Sequence, residues 1–480
     1  MENIDALIET WINEHREEMI EELKAWVRIP SVSRADFAKE NAPFGEDCRR
    51  MLDFALAEGR KYGFRTEDYD GYCGAVIYGD KKDEIGFVCH LDVVPEGDHW
   101  IYSPYDPIEK NGFLIGRGVG DNKGPGVLCL FLLRFFKENN IPLHNTLRLM
   151  LGCAEETGMA DFKHYNEVLH GPIPAVGIVA DAGFPACYAQ KGGYNGSFEI
   201  KAGKNIVSFS GGLVRNAIPD EAVLTINGIS VDEVSEHLKD VPNVSVEANG
   251  ANVRLIGHGK AGHAAFPTPN EKNNAIVNVS EAAVVLSEKT GLDLHGTEFI
   301  AKAFTTAFGD GLDIAYTDEE SGALTLNVGV IAKNDDLLHM DFDIRYPVTD
   351  TSDSITEKLL SAADKAGAKL TDTSISQPYY IDPEDPKVTA LLDAYKTVTG
   401  DTGAKPYSMG GGTYSRVVPN AITFGPGLSK GAHQQDFLPA GHGGAHGPDE
   451  VLNIEDWLTG FRIYLQSVIR LDQVMHDSQS

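Results

Sequence analysis

The sequence contains no run of about 18 apolar residues, which is the length that a membrane-spanning helix needs. Its first 27 residues are charged throughout and lack the apolar stretch of a signal peptide. The six cysteines stand singly, and no two of them have the CxxC spacing of a thiolate zinc site. These absences argue against a membrane protein and a structural zinc site, and they favour a cytoplasmic protein with buried, reduced thiols.

Basic residues are scarce relative to acidic ones. The chain carries 41 Lys and Arg against 71 Asp and Glu, which gives a formal net charge of −30. Such a charge repels nucleic acid and anionic membranes, so we expect neither as a partner. A chain of 480 residues is also too long for one ordinary core, and two or more domains are therefore expected.

The first 190 residues alternate strand-like and helix-like stretches. Helical patterns cover 4–29 and 126–137, and the second is apolar almost all round, as in a buried helix. Short apolar runs at 75–78, 86–89, 147–153 and 175–180 are typical of buried strands. This alternation predicts an α/β fold with a mixed, mostly parallel sheet that has helices on both faces.

The pattern changes between residues 191 and 378, where segments alternate apolar with polar side chains. This predicts antiparallel strands with one solvated face, together with helices over Val231–Leu238 and 354–366. An α/β pattern resumes afterwards, with helices over 387–397 and from Ile454 onwards. We therefore predict one α/β domain in two pieces, 1–190 and 379–480, interrupted by an inserted α+β domain at 191–378.

Ionisable residues follow several of the predicted strands. A pair such as His90 and Asp92, taken alone, is more often a hydrogen-bonded strand end than a metal ligand with its partner. In an α/β sheet, however, ligands collect beyond the carboxyl ends of the strands, and four such positions at one edge are hard to explain as capping. The positions are His90 with Asp92, Asp121 in a glycine-rich loop, Glu155 with Glu156, and Asp181.

The types of these residues indicate a metal centre. Aspartate, glutamate and histidine without thiolate suit zinc, manganese or cobalt. Two ions about 3.5–4 Å apart need a bridging carboxylate and terminal ligands, and the set supplies them with one carboxylate to spare. A spare carboxylate beside an activated water is what a general base requires. Glu155 and Glu156 are neighbours that point in different directions, so one can bind metal while the other faces substrate.

Ten short stretches, in order along nearly the whole chain, carry a family resemblance. They resemble the two-metal peptidases that include carnosinases, aminoacylases and succinyl-diaminopimelate desuccinylase, and most closely the bacterial dipeptidases of the PepV type. The stretches are IPSVS (29–33), HLDVVPEGDHW (90–100), GRGVGDNKGP (116–125), EETG (155–158), ADAGFP (180–185), GGLVRNAIPDEA (211–222), GHAAFPTP (262–269), DIRYP (343–347), GGGTYSR (410–416) and HGPDE (446–450).

The resemblance implies a set of metal ligands. Asp121 would bridge two ions, with His90 and Asp181 completing one ion and Glu156 and His446 the other. The family pattern selects His446 because it precedes an Asp-Glu pair, and His442 in the same loop is the alternative. Family members often have a second aspartate where this chain has Asn122, and the peptide bond at that position is cis in the family.

The resemblance also implies catalytic and substrate-binding residues. Glu155 would be the general base, Asp92 would orient His90, and His263 would contact the reacting carbonyl. Arg345 would bind the substrate carboxylate, since a guanidinium suits a two-bond clamp. The remaining implied substrate contacts are Asn216, for which a turn-forming role is almost as good an explanation, and Gly410, Gly411 and Gly412.

The expected function is that of a two-metal dipeptidase, which hydrolyses short unblocked peptides through a water that bridges the metals. The alternative is an aminoacylase or deacylase acting on N-acyl amino acids, since the metal centre would be identical. We expect two divalent ions per chain, zinc first, with manganese or cobalt as alternatives. The inserted domain would be a lid that closes over the site. Its length leaves room for two units of the kind that shorter relatives pair in a dimer, so a monomer is expected.

Overall fold

The computed structural model describes residues 2–265, 267 and 273–478. Residues 266, 268 and 269 of the stretch GHAAFPTP therefore lie outside the described residues. Contacts between Cα atoms divide the chain into two compact units. The first comprises Met1–Tyr188, Ile381–Tyr407 and Thr413–Ser480, and the second comprises Ala189–Tyr380 and Ser408–Gly412. None of the described helices has the length and apolar character needed to cross a bilayer.

The main sheet of the first unit is mixed and mostly parallel. Glu84–His90 pairs in parallel with a strand on each side, and a fourth parallel strand extends the sheet at one end. Two antiparallel strands complete the other end. Among the described residues the sheet has nine strands, and the six that lie wholly within the first unit are, in spatial order, Arg65–Tyr69, Cys73–Tyr78, Thr146–Gly152, Glu84–His90, Val176–Val179 and Ala421–Thr423. The four strands predicted from apolar runs are all present.

Helices cover both faces of this sheet, because successive side chains of a strand point to opposite faces. On the central strand, Phe87 and Cys89 belong to one apolar cluster and Val88 to another. The larger cluster includes the helix Lys123–Glu138, which is apolar nearly all round and buried along most of its length. The helices of the unit are Glu2–Val27, Glu46–Lys61, Lys123–Glu138, Ala160–Glu167, Pro386–Thr399 and Ile454–Asp477. The predicted fold class is confirmed.

Short strands complete the first unit. Ile108–Lys110, Phe113–Ile115 and Val451–Asn453 form a small antiparallel sheet. The pair Ala182–Gly183 and Pro426–Gly427 runs in parallel just beyond two strands of the main sheet. These elements connect loops that follow the strand ends, and they hold the chain around the edge where the ionisable residues lie.

The second unit is an antiparallel sheet of eight strands with helices that bury an apolar cluster against it. In spatial order the strands are Val244–Asn249, Asn252–His258, Glu221–Ile226, Ile206–Gly211, Thr325–Asn334, Leu337–Tyr346, Gly192–Lys201 and Lys369–Ser376. The helices are Val231–Leu238, Ala275–Thr290, Thr297–Ala303 and Ser352–Ala366. The antiparallel strands agree with the alternating pattern of the sequence.

The eight strands form two halves of four. The halves meet where Ser210 and Gly211 pair with Ala332 and Ile331, a much shorter pairing than that between neighbouring strands within each half. The next residue, Gly212, has a φ of 72°, and a Cβ atom there would overlap the carbonyl oxygen of a residue on the facing segment. Only glycine is compatible with this close approach. The second unit thus contains two sheet halves within one chain.

Candidate metal centre

His90 is the last residue of the central parallel strand, where it pairs with Gly152 on one side and its main-chain N–H donates to the side chain of Asn122. The side chain is buried. Nδ1 lies 2.9 Å from the main-chain carbonyl oxygen of Asp92 and 3.4 Å from the Asp92 carboxylate. Because Nδ1 faces these oxygen atoms, the ring is oriented with Nε2 towards the carboxylates of Asp121, at 3.0 Å, and Asp181, at 3.6 Å.

Asp121 lies in the glycine-rich loop just before the buried helix, and its peptide bond to Asn122 is cis, as the resemblance implies. Its two carboxylate oxygens face different partners. Oδ1 lies 3.0 Å from Nε2 of His90, and Oδ2 lies 3.0 Å from Nε2 of His446. A carboxylate that meets one imidazole with each oxygen has the arrangement that a ligand shared by two ions requires.

Glu155 and Glu156 lie in the turn after the strand Thr146–Gly152. Their main-chain N–H groups donate to Oδ1 and Oδ2 of Asp92, each at 3.1 Å. Upstream in the same turn, the N–H groups of Cys153 and Ala154 donate to Asp161, at 2.6 and 2.8 Å. The carboxylates of Asp92 and Asp161 therefore hold the turn that carries the paired glutamates. The side-chain carboxylate of Glu156 lies 3.1 Å from Nε2 of His446.

Asn122 connects Asp181 to the rest of the site. Its side-chain nitrogen donates to the carbonyl oxygen of Ala180, at 2.7 Å, and to the carboxylate of Asp181, at 3.0 Å. Its side-chain oxygen accepts from the main-chain N–H of His90 at 3.2 Å. This buried amide spans two strand ends, so an asparagine at this position has a role that a second aspartate could not perform, since a carboxylate cannot donate.

These residues fit a pair of divalent cations. Donor atoms of His90, Glu155 and Asp181 lie within 4.8 Å of one another, and so do those of His90, Asp121 and Glu156. All the donors are nitrogen or carboxylate oxygen, which suits zinc, manganese or cobalt. Five residues supply these atoms, and His446 contacts two of them. We refer to the six together as the candidate metal centre: His90, Asp121, Glu155, Glu156, Asp181 and His446.

The electrostatics of the centre favour positive charge. Burial opposes ionisation of His90, but the Asp181 carboxylate and the hydrogen bond with Asp121 outweigh burial and raise its pKa well above the ordinary value. Hydrogen bonds with Asp121 and Glu156 raise the pKa of His446 to about 10. Burial raises the pKa of Asp181 to about 6. The same concentration of carboxylates that stabilises the two charged imidazoles also attracts a divalent cation.

The carboxyl group of Glu155 lies among other carboxylates. Burial, followed by repulsion from the Asp181 carboxylate, raises the pKa of Glu155 well above the ordinary value of a glutamate. A raised pKa makes a carboxylate a stronger proton acceptor at neutral pH. Neither proximity nor pKa separates Glu155 from Asp181, because donor atoms of both lie within 4.8 Å of His90 and burial raises the pKa of both.

Residues 86–470 match the sequence profile of the peptidase family M20/M25/M40. The chain belongs to this family. The resemblance found in the ten stretches is thereby confirmed. The match begins within the strand that ends at His90 and extends into the terminal helix, so it includes every residue of the candidate metal centre.

A protein of Bacillus subtilis (strain 168) named "Putative dipeptidase YtjP" is 32% identical over 478 residues, covering 95% of this chain and 97% of that protein. Among solved structures, human carnosine dipeptidase 1 has a TM-score of 0.56 at 17% identity, covering 98% of this chain and 99% of that one. The di-peptidase Dug1p of Saccharomyces cerevisiae has a TM-score of 0.57 at 14% identity, covering 98% of each chain. The two structures share the fold of this chain.

The two histidines of the C-terminal loop have different surroundings. His446 contacts both Asp121 and Glu156. Nδ1 of His442 instead lies 2.6 Å from the carboxylate of Asp449, which also accepts from two main-chain N–H groups. This geometry supports His446 as the ligand and a loop-holding contact for His442.

Glu450 is a residue whose role the sequence analysis missed. Its buried carboxylate accepts main-chain N–H groups from Gly118 at 3.0 Å, Gly120 at 2.9 Å and Asp121 at 3.1 Å, and it pairs with the buried Arg117 at 2.9 Å. The loop that carries Asp121 therefore winds around this carboxylate. The only sequence signal was that Glu450 ends the stretch HGPDE, next to the histidine that meets the other oxygen of Asp121.

The residues predicted to contact substrate all lie in the second unit: Asn216, His263, Arg345, Gly410, Gly411 and Gly412. His263 pairs with Ala217 in a short antiparallel bridge, next to Asn216. Nδ1 of His263 accepts from the main-chain N–H of Ala265 at 3.1 Å, so the ring proton is on Nε2. Burial, and then the charge of Arg345, lower the pKa of His263, which keeps the ring neutral.

Arg345 is held by the buried Asp343 through two hydrogen bonds, from Nε at 2.9 Å and Nη2 at 2.8 Å. The edge formed by Nη1 and Nη2 is the one that can meet a second carboxylate. Among the three predicted glycines, Gly410 lies against Ala265, where an added Cβ would come within 3.2 Å of its side chain. The second unit thus brings His263, Arg345, Asn216 and Gly410 near one another. Gly411 and Gly412 follow in the same segment.

We predict that His446→Ala weakens metal binding while His442→Ala does not, because only His446 faces the Asp121 and Glu156 carboxylates. Metal content after dialysis against a fixed concentration of free zinc measures this, with thermal unfolding as a control for folding. Loss of metal from His442→Ala but not from His446→Ala would mean that the ligand has been assigned to the wrong histidine.

We predict that Glu450→Gln lowers metal affinity by about 10- to 100-fold, the range found for residues that orient metal ligands. The amide keeps the size of the side chain but has only one acceptor oxygen for three N–H groups. Asp472→Asn is a matched control, since Asp472 is a buried carboxylate that accepts the N–H groups of His144 and Asn145 far from the centre in sequence. If Glu450→Gln and wild type bind metal equally well, Glu450 does not position the metal ligands, even if their melting temperatures differ.

Proposed function

We propose that the protein is a metal-dependent dipeptidase that hydrolyses the peptide bond of short unblocked peptides. The observation that carries the proposal is the Asp121 carboxylate, which meets a different histidine with each oxygen, with two further acids and Glu155 around it. Membership of a peptidase family and 32% identity to a relative named as a dipeptidase support the reaction and the substrate class.

The ligand assignment follows from the contacts. We assign Asp121 as the bridging ligand, His90 and Asp181 to one ion, and Glu156 and His446 to the other. When bound, the ions would supply Lewis acidity, which polarises a carbonyl group and lowers the pKa of a water. Zinc is our first choice and manganese or cobalt the alternatives, because these metals share the same nitrogen and oxygen ligands.

Glu155 is assigned as the general base. It accepts a proton from the attacking water as the new carbon–oxygen bond forms, and it delivers a proton to the amine nitrogen as the peptide bond breaks. Its raised pKa suits both steps, since the carboxylate must take the proton readily and then return it. Asp92 positions this base, because its carboxylate accepts the main-chain N–H groups of Glu155 and Glu156 while the same residue orients His90.

Residues of the second unit are assigned to substrate binding. His263 is neutral with its proton on Nε2, so it can donate to the oxygen of the reacting carbonyl as negative charge develops there. Arg345, oriented by Asp343, binds the substrate carboxylate through its remaining edge. Asn216 and the segment Gly410 to Gly412 complete the contacts, and binding the carboxylate limits the substrate to short peptides.

We infer further that the protein is cytoplasmic and acts as a monomer. The six cysteines are all buried and none forms a disulfide bond, which suits a reducing compartment. The two four-stranded halves of the second unit meet within one chain, an arrangement that supports a lid complete in a single protomer.

The function is tested with metal-stripped protein. We expect no hydrolysis until zinc, manganese or cobalt is restored, with two ions bound per active chain, and then preference for unblocked dipeptides over N-acetyl amino acids. Elemental analysis and a panel of both substrate types measure this. Full activity with at most one ion would contradict the two-metal mechanism, and preference for N-acetyl amino acids would favour the aminoacylase alternative.

Glu155→Gln should abolish turnover and leave both metal ions bound, because an amide has the same shape but cannot accept the proton. The expected loss of kcat is at least about 10²- to 10⁴-fold. Metal content, measured on the same preparation, distinguishes loss of the base from loss of a ligand. A variant that keeps more than a tenth of the wild-type kcat would remove Glu155 from this role.

The monomer is tested in two ways. Light scattering under assay conditions should give a mass near 52.1 kDa. A mixture of Glu155→Gln chains with His263→Ala chains should stay inactive, because each chain lacks one of the two side chains and cannot obtain it from the other chain. Recovery of activity in the mixture would show that His263 acts across chains and that the active species is an oligomer.

A further inference from the structure

A cleft of about 430 Å³ opens in the first unit beside the candidate metal centre. Its lining includes Asp121 and Asp181 of that centre and continues over apolar side chains, among them Phe113, Leu428 and Trp457. The metal ligands therefore form part of the wall of a cavity large enough for one amino-acid residue. The other residues that line this cavity have no role among the assignments made above.

A histidine and an aspartate also line the cleft. Nδ1 of His433 lies 2.6 Å from one carboxylate oxygen of Asp456, and the main-chain N–H of His433 donates to the other oxygen at 2.8 Å. In the tautomer that donates the Nδ1 proton to Asp456, Nε2 of the ring is a hydrogen-bond acceptor. Among the described residues, Nε2 of His433 has no hydrogen-bond partner.

A second pair in the same loop shows what a purely structural pair looks like. His442 and Asp449 have the same 2.6 Å contact, but their side chains are only 15% and 0% exposed, and Asp449 also holds the main chain of Ile101 and Tyr102. The side chains of His433 and Asp456 are 58% and 17% exposed. The cleft pair is thus accessible to a ligand in a way that the structural pair is not.

We propose that His433 and Asp456 bind the α-ammonium group of the substrate, so that the cleft is the subsite for a residue with a free amino terminus. The proposal rests on the dipeptidase function and adds a source of selectivity to it. In an unblocked dipeptide the ammonium nitrogen is bonded to the carbon next to the scissile carbonyl, so it must lie close to the metal centre. The cleft adjoins that centre through Asp121 and Asp181.

The chemistry of the pair suits an ammonium ion. Asp456 supplies a negative charge, and Nε2 of His433 supplies a neutral acceptor, so an ammonium group can donate to both. Hydrogen bonds between ionised partners are roughly twice as strong as neutral ones. The apolar walls would contact the side chain of the same residue. An N-acyl amino acid has no ammonium group and gains nothing from the pair, which separates the dipeptidase reaction from the aminoacylase reaction at the level of binding.

The test uses Ala-Ala and N-propionyl-alanine, two compounds that differ only in that a hydrogen replaces the ammonium group. Both are assayed as substrates of the metal-loaded protein, and N-propionyl-alanine is also assayed as a competitive inhibitor of Ala-Ala hydrolysis. Asp456→Asn and His433→Gln are compared with wild type and with the control His442→Gln. Metal content and thermal unfolding are measured for every variant.

We expect Asp456→Asn to lower kcat/KM for Ala-Ala by about tenfold or more, mainly through KM, the loss that a charged hydrogen bond implies. His433→Gln should have a smaller effect in the same direction. The inhibition constant of N-propionyl-alanine should not change, and His442→Gln should behave as wild type on both compounds.

Three results would overturn the proposal: equal losses for both compounds, no change in either cleft variant, or the same change in His442→Gln. In each case wild-type preference for Ala-Ala would leave the dipeptidase function standing. If wild type instead hydrolyses N-propionyl-alanine as readily as Ala-Ala, the proposed function fails, and the ammonium subsite fails with it.

Discussion

The position of one carboxylate, that of Asp121, is the constraint on which the rest of the first unit depends. One oxygen faces a histidine at the end of a central strand, and the other faces a histidine near the end of the chain. The main chain of Asp121 is held by Glu450, and Asn122 begins the turn into the buried helix. A shift of this loop would disturb both histidine contacts at once, which explains why buried groups hold it from two sides.

Carboxylates in this protein hold loops as well as ligands. Loops at the edge of a sheet lose the ladder partners of their main-chain N–H groups, and a buried N–H without a partner is costly. Around the candidate metal centre, four buried carboxylates of the described residues accept two or more such groups each, and they add negative charge at the place where cations are expected. The four are Asp92, Asp161, Asp449 and Glu450.

The fold and the grouping of the candidate site residues at one edge were predictable because both depend on local pattern and on strand ends. The apolar run before His90 predicted a buried strand, and parallel strands bring their carboxyl ends to one edge. The roles of Glu450 and Asp161 were not predictable, because each depends on main-chain N–H groups of loops whose path is set by packing. Asp161 even lies within a helix, where an acidic residue is usually a solvated one.

The second unit shows a different limit of sequence analysis. Alternating segments predicted its antiparallel strands, but the order of those strands depends on pairings between residues far apart in the chain. Arg345 was expected to bind a substrate carboxylate, and the sequence analysis did not foresee that Asp343 binds one edge of its guanidinium group. A charge two positions away on the same strand face is visible in the sequence, but whether it forms a pair depends on rotamers.

The discontinuity of the first unit has a consequence for how the protein is made on the ribosome. All eight strands of the sheet in the second unit have been synthesised once the chain reaches Ser376, whereas the sheet of the first unit still lacks Ala421–Thr423 and the covering helix Ile454–Asp477. Since domains generally fold as units during synthesis, the middle of the chain can fold before either flank. His446 follows all of these strands in the chain, so the candidate metal centre is assembled only after the middle of the chain and the strand Ala421–Thr423 have been synthesised.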